Sequence, residues 1–164
     1  MNTLNKLCLK MMDYFQGDPK RIQHFIKVHE FARVICENEK IEKNKQFIVE
    51  TLAYIHDIGI KQAEAKYNSS NGKLQEEEGP EEARKVLIEL GYNECDIERV
   101  CYVISKHHTY QAIDDIDFQI LVEADFLANF YEDNMTMEEI YHFYDTYFKT
   151  ETGMHICEKT FAME

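Results

Sequence analysis

The pair His56-Asp57 stands near the end of the apolar run LAYIHDIGI, and it limits how the chain can fold. A helix buries its apolar face at low cost. An imidazole or carboxylate carried into the core with it is expensive unless it is paired or bound to a cation. His24, His107 and Asp125 pose the same problem in separate helix-like segments on either side. A fold that gathers these segments around one compensated polar centre solves it, and a metal site among packed helices is such a centre.

The periodicity is helical throughout, with no alternating strand pattern and no fixed repeat. A first helix spans about residues 4–15 and stops near Gly17. Asp18 as N-cap and Pro19 at the first helical position open a second, which runs to about residue 40. A third covers about 45–57, with Gly59 as its C-terminal stop. The stretch 60–79, containing KYNSSNGKLQEEEG, reads as a surface loop close behind His56-Asp57, and both a gating role and simple disorder suit it. Pro80 opens a fourth helix with Glu81 and Glu82 in its first turn, ending at Gly91. A fifth runs from Asn93 to about His108 and a sixth over about 117–131. The capping box Thr136 to Glu139 opens a seventh, to about Lys149, and the tail around Thr152-Gly153 has room for one more short helix. The expected fold is a compact all-α bundle of about seven helices, one domain over residues 1–164.

Composition narrows the function classes. A chain of 164 residues can bury a real core in one domain. No apolar run reaches the roughly 18 residues that suggest a membrane span, and the N-terminal segment lacks the pattern of a signal peptide. Five cysteines, odd in number and without a CxxC pair, predict reduced thiols and a cytoplasmic protein. Net charge is −13, from 18 basic and 31 acidic residues, which disfavours nucleic acid as a partner. A phosphate binding here needs a local cation, and a divalent metal supplies one.

Helix geometry locates the core faces. In the second helix Val28, Phe31 and Ile35 define a stripe with His24 in its middle and His29 off its axis. Taken alone, His24 is more simply a core histidine bonded to a carbonyl. In the fifth helix Val100 and Ile104 place His107 on the apolar stripe, and Ile97, Cys101 and Ile104 do the same for His108. One of the two should face inward, although an ordinary helix C-terminus explains either by itself. Asp125 lies on the face made by Phe118, Leu121 and Val122, with few basic residues placed to pair with it, which favours a metal or catalytic role. His56 shares a stripe with Leu52 and Asp57 follows at the helix end, so one can bind an ion terminally while the other bridges two.

The segments RIQHFIKVHEFA, YIHDIGI, ISKHHTY and LVEADFLANF, in that order, resemble the HD-domain superfamily of metal-dependent phosphohydrolases, most strongly over residues 19–131. The resemblance implies an HD-type helical fold with His24, His56, Asp57 and Asp125 as metal ligands. His24 is preferred to His29 because it begins an H-x3-V-x3-A arrangement with Val28 and Ala32. His107 matches the additional ligand of bimetallic members, with His108 as a nearby substitute. Those members, relatives that hydrolyse dinucleoside tetraphosphates among them, usually carry a His before the Gly that opens the next helix. Here Glu78-Gly79-Pro80 stands in that place. Glu78 is therefore the candidate oxygen ligand for a second ion, while Glu76 and Glu77 beside it fit a solvated acidic run equally well.

The implied activity is hydrolysis of a nucleotide or other small phosphoester with a divalent ion, Mn, Fe, Co, Ni or Zn, a second ion depending on Glu78. Asp57 and His107 are the candidate catalytic groups, and Arg21, Lys61 and His108 the candidate substrate contacts. Two alternatives remain: a regulatory module that binds metal or nucleotide without turnover, and di-iron oxygen chemistry with Glu78 as sixth ligand. The expected partner is a small phosphorylated substrate, a nucleotide by preference, with no nucleic acid and no membrane. The aromatic run Phe143 to Phe148 leaves core, pocket and homodimer contact open.

Overall fold

The computed structural model describes residues 2–164. Among them it forms nine α-helices and no strand: α1 Thr3–Tyr14, α2 Pro19–Asn38, α3 Lys43–Ile55, α4 Gly59–Tyr67, α5 Gly72–Glu89, α6 Glu94–Ile104, α7 Ile116–Glu132, α8 Met137–Tyr147 and α9 Glu151–Thr160. A 3-10 turn at Tyr110–Ala112 leads into α7. The all-α expectation holds, with more and shorter helices than the seven anticipated.

Side-chain caps set most of the boundaries. Asp18 accepts from the Arg21 amide, Asn93 from Asp96, and Thr136 closes a reciprocal capping box with Glu139. Thr150 caps α9 through the Gly153 amide, so the tail does form a last helix.

The main correction falls on residues 60–79, which are two helices rather than a loop. The two Asn residues there are caps. Asn68 takes a left-handed conformation (φ 51°) at the end of α4, and Asn71 caps α5 through the Leu74 amide. Pro80 accordingly lies inside α5 and does not open it. The buried stripe of α5 passes straight through that point as Gln75, Gly79, Ala83, Val86 and Leu87. Its first members are polar or small, so hydropathy does not reveal it.

Gly59 is also reassigned. It does not stop α3; it opens α4 at a close crossing with α5. A Cβ there would lie 2.4 Å from the Gln75 carbonyl oxygen and 2.8 Å from the Gly79 nitrogen. α3 ends one residue before His56, which is its C-cap, and α6 ends at Ile104, before His107 and His108. His56, Asp57, His107 and His108 therefore stand on turns just past helix ends, where backbone direction can change.

α7 is the central element, buried from Asp117 to Ala128 and packed against α2, α3 and α9. α4 packs on α5, α5 on α6, and α2 on α3. Phe143, Tyr147 and Phe148 pack on Phe126 and Phe130 of α7, with Phe126 to Phe143 ring centroids 4.9 Å apart. The aromatic run thus belongs to the core. No helix among the described residues is long and apolar enough to cross a membrane.

Candidate metal centre

Four elements deliver side chains to one point: α2 gives His24, the turn after α3 gives His56 and Asp57, the turn after α6 gives His107 and His108, and α7 gives Asp125. His24 Nε2 lies 3.1 Å from Asp125 Oδ1 and 3.4 Å from Asp57 Oδ2. His56 Nε2 lies 3.4 Å from the same Asp57 oxygen and 3.5 Å from Asp125 Oδ1. His107 Nε2 approaches the other oxygen of Asp57, Oδ1, at 3.5 Å. The donors form two overlapping sets, His24/His56/Asp57 and Asp57/His107/His108, joined through Asp57.

The outer nitrogens of the three buried imidazoles are all engaged. His56 Nδ1 faces the Ala53 carbonyl at 3.2 Å, and His107 Nδ1 faces the Ile104 carbonyl at 2.8 Å. His24 Nδ1 faces Glu132 Oε2 at 2.8 Å. A carbonyl or carboxylate only accepts, so each Nδ1 carries a proton and Nε2 is the nitrogen left to present a lone pair inward once a metal displaces any second proton. All three Nε2 atoms are buried and lack the alignment of a hydrogen bond to any partner. Buried polar atoms are rarely left so.

Electrostatics agree. Burial opposes a charge on His24, but Asp125 and Glu132 beside it outweigh that and push its pKa up to about 11. His56 is raised, against its burial, by Asp57 and Asp125. Burial would raise the pKa of Asp57 and Asp125, yet the neighbouring imidazoles hold both below the ordinary carboxylate range. Protons on the imidazoles compensate the two carboxylates in the metal-free protein, and a divalent cation does the same with all ligands deprotonated. Three inward lone pairs and two carboxylates therefore fit a divalent ion.

A family model for the HD domain matches residues 21–141, the span that supplies every one of these groups. The chain belongs to the HD domain family. HD domains bind divalent metals, and the family relationship supports a metal-dependent phosphohydrolase at the superfamily level. No curated protein matches. Among solved structures, the chain is similar to a predicted HD superfamily hydrolase from an uncultured Thermotogales bacterium, at 25% identity over 97% of this chain and 85% of that one, with TM-score 0.68. It is also similar in fold to Bacillus subtilis YpgQ, crystallised in complex with ADP, at 18% identity over 96% of this chain and 86% of that one, with TM-score 0.68.

The HD centre opens into a cavity of about 370 Å³, lined among others by Lys20, Arg21, His24, Asp57, Gln75, His108, Asp125 and Asn129. Arg21 reaches it while bound to Asp18 at 2.8 Å and Glu64 at 2.5 Å. His108 donates its backbone N–H to Glu76, and its ring contacts Gln75 Oε1 at 3.1 Å. Burial, then repulsion from His107, pulls the His108 pKa down to about 4, so the ring is neutral at pH 7.

Two expected residues are placed elsewhere. Lys61 turns toward α1, donating to the Tyr14 carbonyl at 2.8 Å over the Tyr14 ring, and does not line the cavity. Glu78 accepts from Lys66 at 2.5 Å and Tyr67 at 3.1 Å, tying α5 to α4, and joins neither donor set. The α5 residue that reaches the cavity is Gln75, one turn earlier. His29, set aside in favour of His24, bonds Glu50 at 2.8 Å and stacks on Tyr54.

Three site residues escaped the sequence reading: Gln75, Asn129 and Glu132. Asn129 donates to Asp125 Oδ1 at 3.0 Å. Asp125, Asn129 and Glu132 are spaced i, i+4, i+7, so the face that identified Asp125 carries the other two.

Proposed function

We propose that this HD protein hydrolyses a phosphoester of a nucleotide or similarly small phosphorylated metabolite. His24, His56, Asp57 and Asp125 would hold a divalent ion, with Asp57, His107 and His108 offering a second position. The observation that carries the reading is the convergence of three unpartnered Nε2 atoms and two carboxylates at the base of an open cavity. A divalent ion supplies Lewis acidity toward a phosphoryl oxygen and acidifies a water molecule.

The protein's own groups do the rest. Asp57 presents an oxygen to each donor set and is placed to orient the attacking water. Lys20 and Arg21 are the cations lining the cavity and would receive non-reacting phosphate oxygens. Where no ion fills the second position, His108, neutral at pH 7, would instead contact substrate as a hydrogen-bonding group rather than a cation. A cavity of about 370 Å³ lies at the small end of the roughly 300–1,000 Å³ typical of ligand pockets, which favours one nucleotide over a dinucleotide. The ADP complex of YpgQ, in the same fold, supports a nucleotide.

The geometry favours neither alternative. The cavity is open, contrary to a closed regulatory module, and Glu78, the ligand that oxygen chemistry required, is held by Lys66 and Tyr67.

The test is a hydrolysis panel of nucleoside mono-, di- and tetraphosphates and (p)ppGpp, using protein stripped of metal and reloaded singly with Mn, Fe, Co, Ni or Zn. Metal-dependent phosphate or pyrophosphate release is expected. Protein with confirmed bound metal and no turnover on any member would refute hydrolysis of these nucleotides. On whichever substrate turns over, Arg21→Ala should lower kcat/KM about tenfold, mainly through KM, since a hydrogen bond to a charged group contributes about 1.5–3 kcal/mol and Asp18 and Glu64 already share this one. Steady-state kinetics with an unchanged KM would remove Arg21 from the substrate site.

A further inference from the structure

Only one of the three inward-facing imidazoles is braced by a charged group. His56 and His107 rest their outer nitrogens on backbone carbonyls, whereas His24 rests its own on Glu132. Glu132 is largely buried and shares its charge with Lys27, which pairs with its other oxygen. It lies two turns beyond Asp125 on α7, and Asn129 between them braces Asp125 itself. One face of α7 thus carries a ligand, the brace of that ligand, and the brace of a ligand on α2.

We infer that Glu132 is a positioning residue that fixes the Nδ1–H tautomer of His24, raises the basicity of its Nε2 and thereby sets metal affinity at the His24/His56/Asp57 position. A carboxylate accepts more strongly than a peptide carbonyl, so of the three imidazoles His24 becomes the strongest donor. Lys27 holds Glu132 aimed from its other oxygen while moderating its charge. The other position has no such brace: its His107 leans on a carbonyl and its His108 ring contacts the neutral Gln75. Any two ions taken up would therefore bind unequally, the tighter one beside His24. The inference rests on the metal-site reading above.

Zinc is the probe, titrated against a competing chelator into metal-free wild type, Glu132→Gln and Lys27→Gln. Glu132→Gln should weaken the tighter site roughly 10–100-fold, with the melting temperature of the metal-free protein near that of wild type. Lys27→Gln should change affinity by only a few-fold. In zinc-loaded wild type, ¹⁵N-edited NMR should show His24 with a hydrogen-bonded Nδ1 proton and a metal-shifted Nε2. A Glu132→Gln affinity within twofold of wild type overturns the inference, as does a loss fully matched by metal-free destabilisation. Should that variant fail to fold, an Nε2–H tautomer for His24 in wild type overturns it equally. Wild type that takes up no zinc overturns the metal reading itself, and the inference with it.

Discussion

Asp57→Ala should abolish turnover, falling roughly 10³-fold or more below wild type, and should lose metal from both positions. The reason is geometric. Asp57 is the residue common to the two donor sets, with Oδ2 3.4 Å from both His24 and His56 and Oδ1 3.5 Å from His107. Asp125 faces only the first set. Removing Asp57 takes the proposed anionic ligand from both positions and the group proposed to orient water. Lewis-acid stabilisation amounts to several kcal/mol, and each 1.36 kcal/mol is tenfold in rate. The loss should also be graded: Asp125→Ala weakens the His24/His56 position and leaves the His107 side intact. The checks are kcat on the substrate identified by the panel and metal content by mass spectrometry after dialysis. An Asp57→Ala protein that keeps its metal and stays within tenfold of wild-type rate would defeat the assignment.

Much of this centre was legible because it contradicts its surroundings. Asp125 between Ala124 and Phe126 on an apolar face, and His24 in line with Val28 and Ile35, are residues that a core accepts only when compensated. That argument needs nothing beyond helical periodicity, and it picked the inward residues correctly. It failed where the buried face is not apolar. Gln75 and Gly79 form the inner edge of α5, so a stretch rich in Asn, Ser, Gly and Glu read as a loop. Glu78 drew attention because it precedes a glycine, but it is Gln75, three residues earlier and on the buried stripe, that faces the cavity. Lys61 follows the HDIG turn in sequence, yet α4 carries it round to Tyr14, since a helix turns each successive residue by about 100°. Glu132 was within reach of the same face argument. It falls one residue past the expected end of that helix at about 131, which kept it off the face.

The HDIG glycine supports the second large prediction. Gly59 stands one residue past Ile58 and two past Asp57, and the three atoms nearest to a Cβ added to it are all backbone: the Gln75 oxygen at 2.4 Å, the Gly79 nitrogen at 2.8 Å and the Gly79 Cα at 3.0 Å. No rotamer change relieves contacts with backbone, so Gly59→Ala must push α4 away from α5. Overpacking of this kind costs about 1–3 kcal/mol. The gain in helix propensity from alanine is under about 1 kcal/mol in a helix interior, and smaller here because Gly59 is the first residue of α4. At about 2–4 °C per kcal/mol for a chain of this size, the metal-free protein should melt several degrees lower, roughly 4–8 °C by calorimetry. Activity should fall further than stability does. The same displacement moves the turn that carries His56 and Asp57 and the segment where Gln75 contacts His108, and a misplacement near 1 Å can cost about 10²-fold in rate. A Gly59→Ala protein that melts with wild type would show that the α4–α5 crossing yields freely. One that melts lower but keeps full kcat would show that the position of His56-Asp57 does not depend on that crossing.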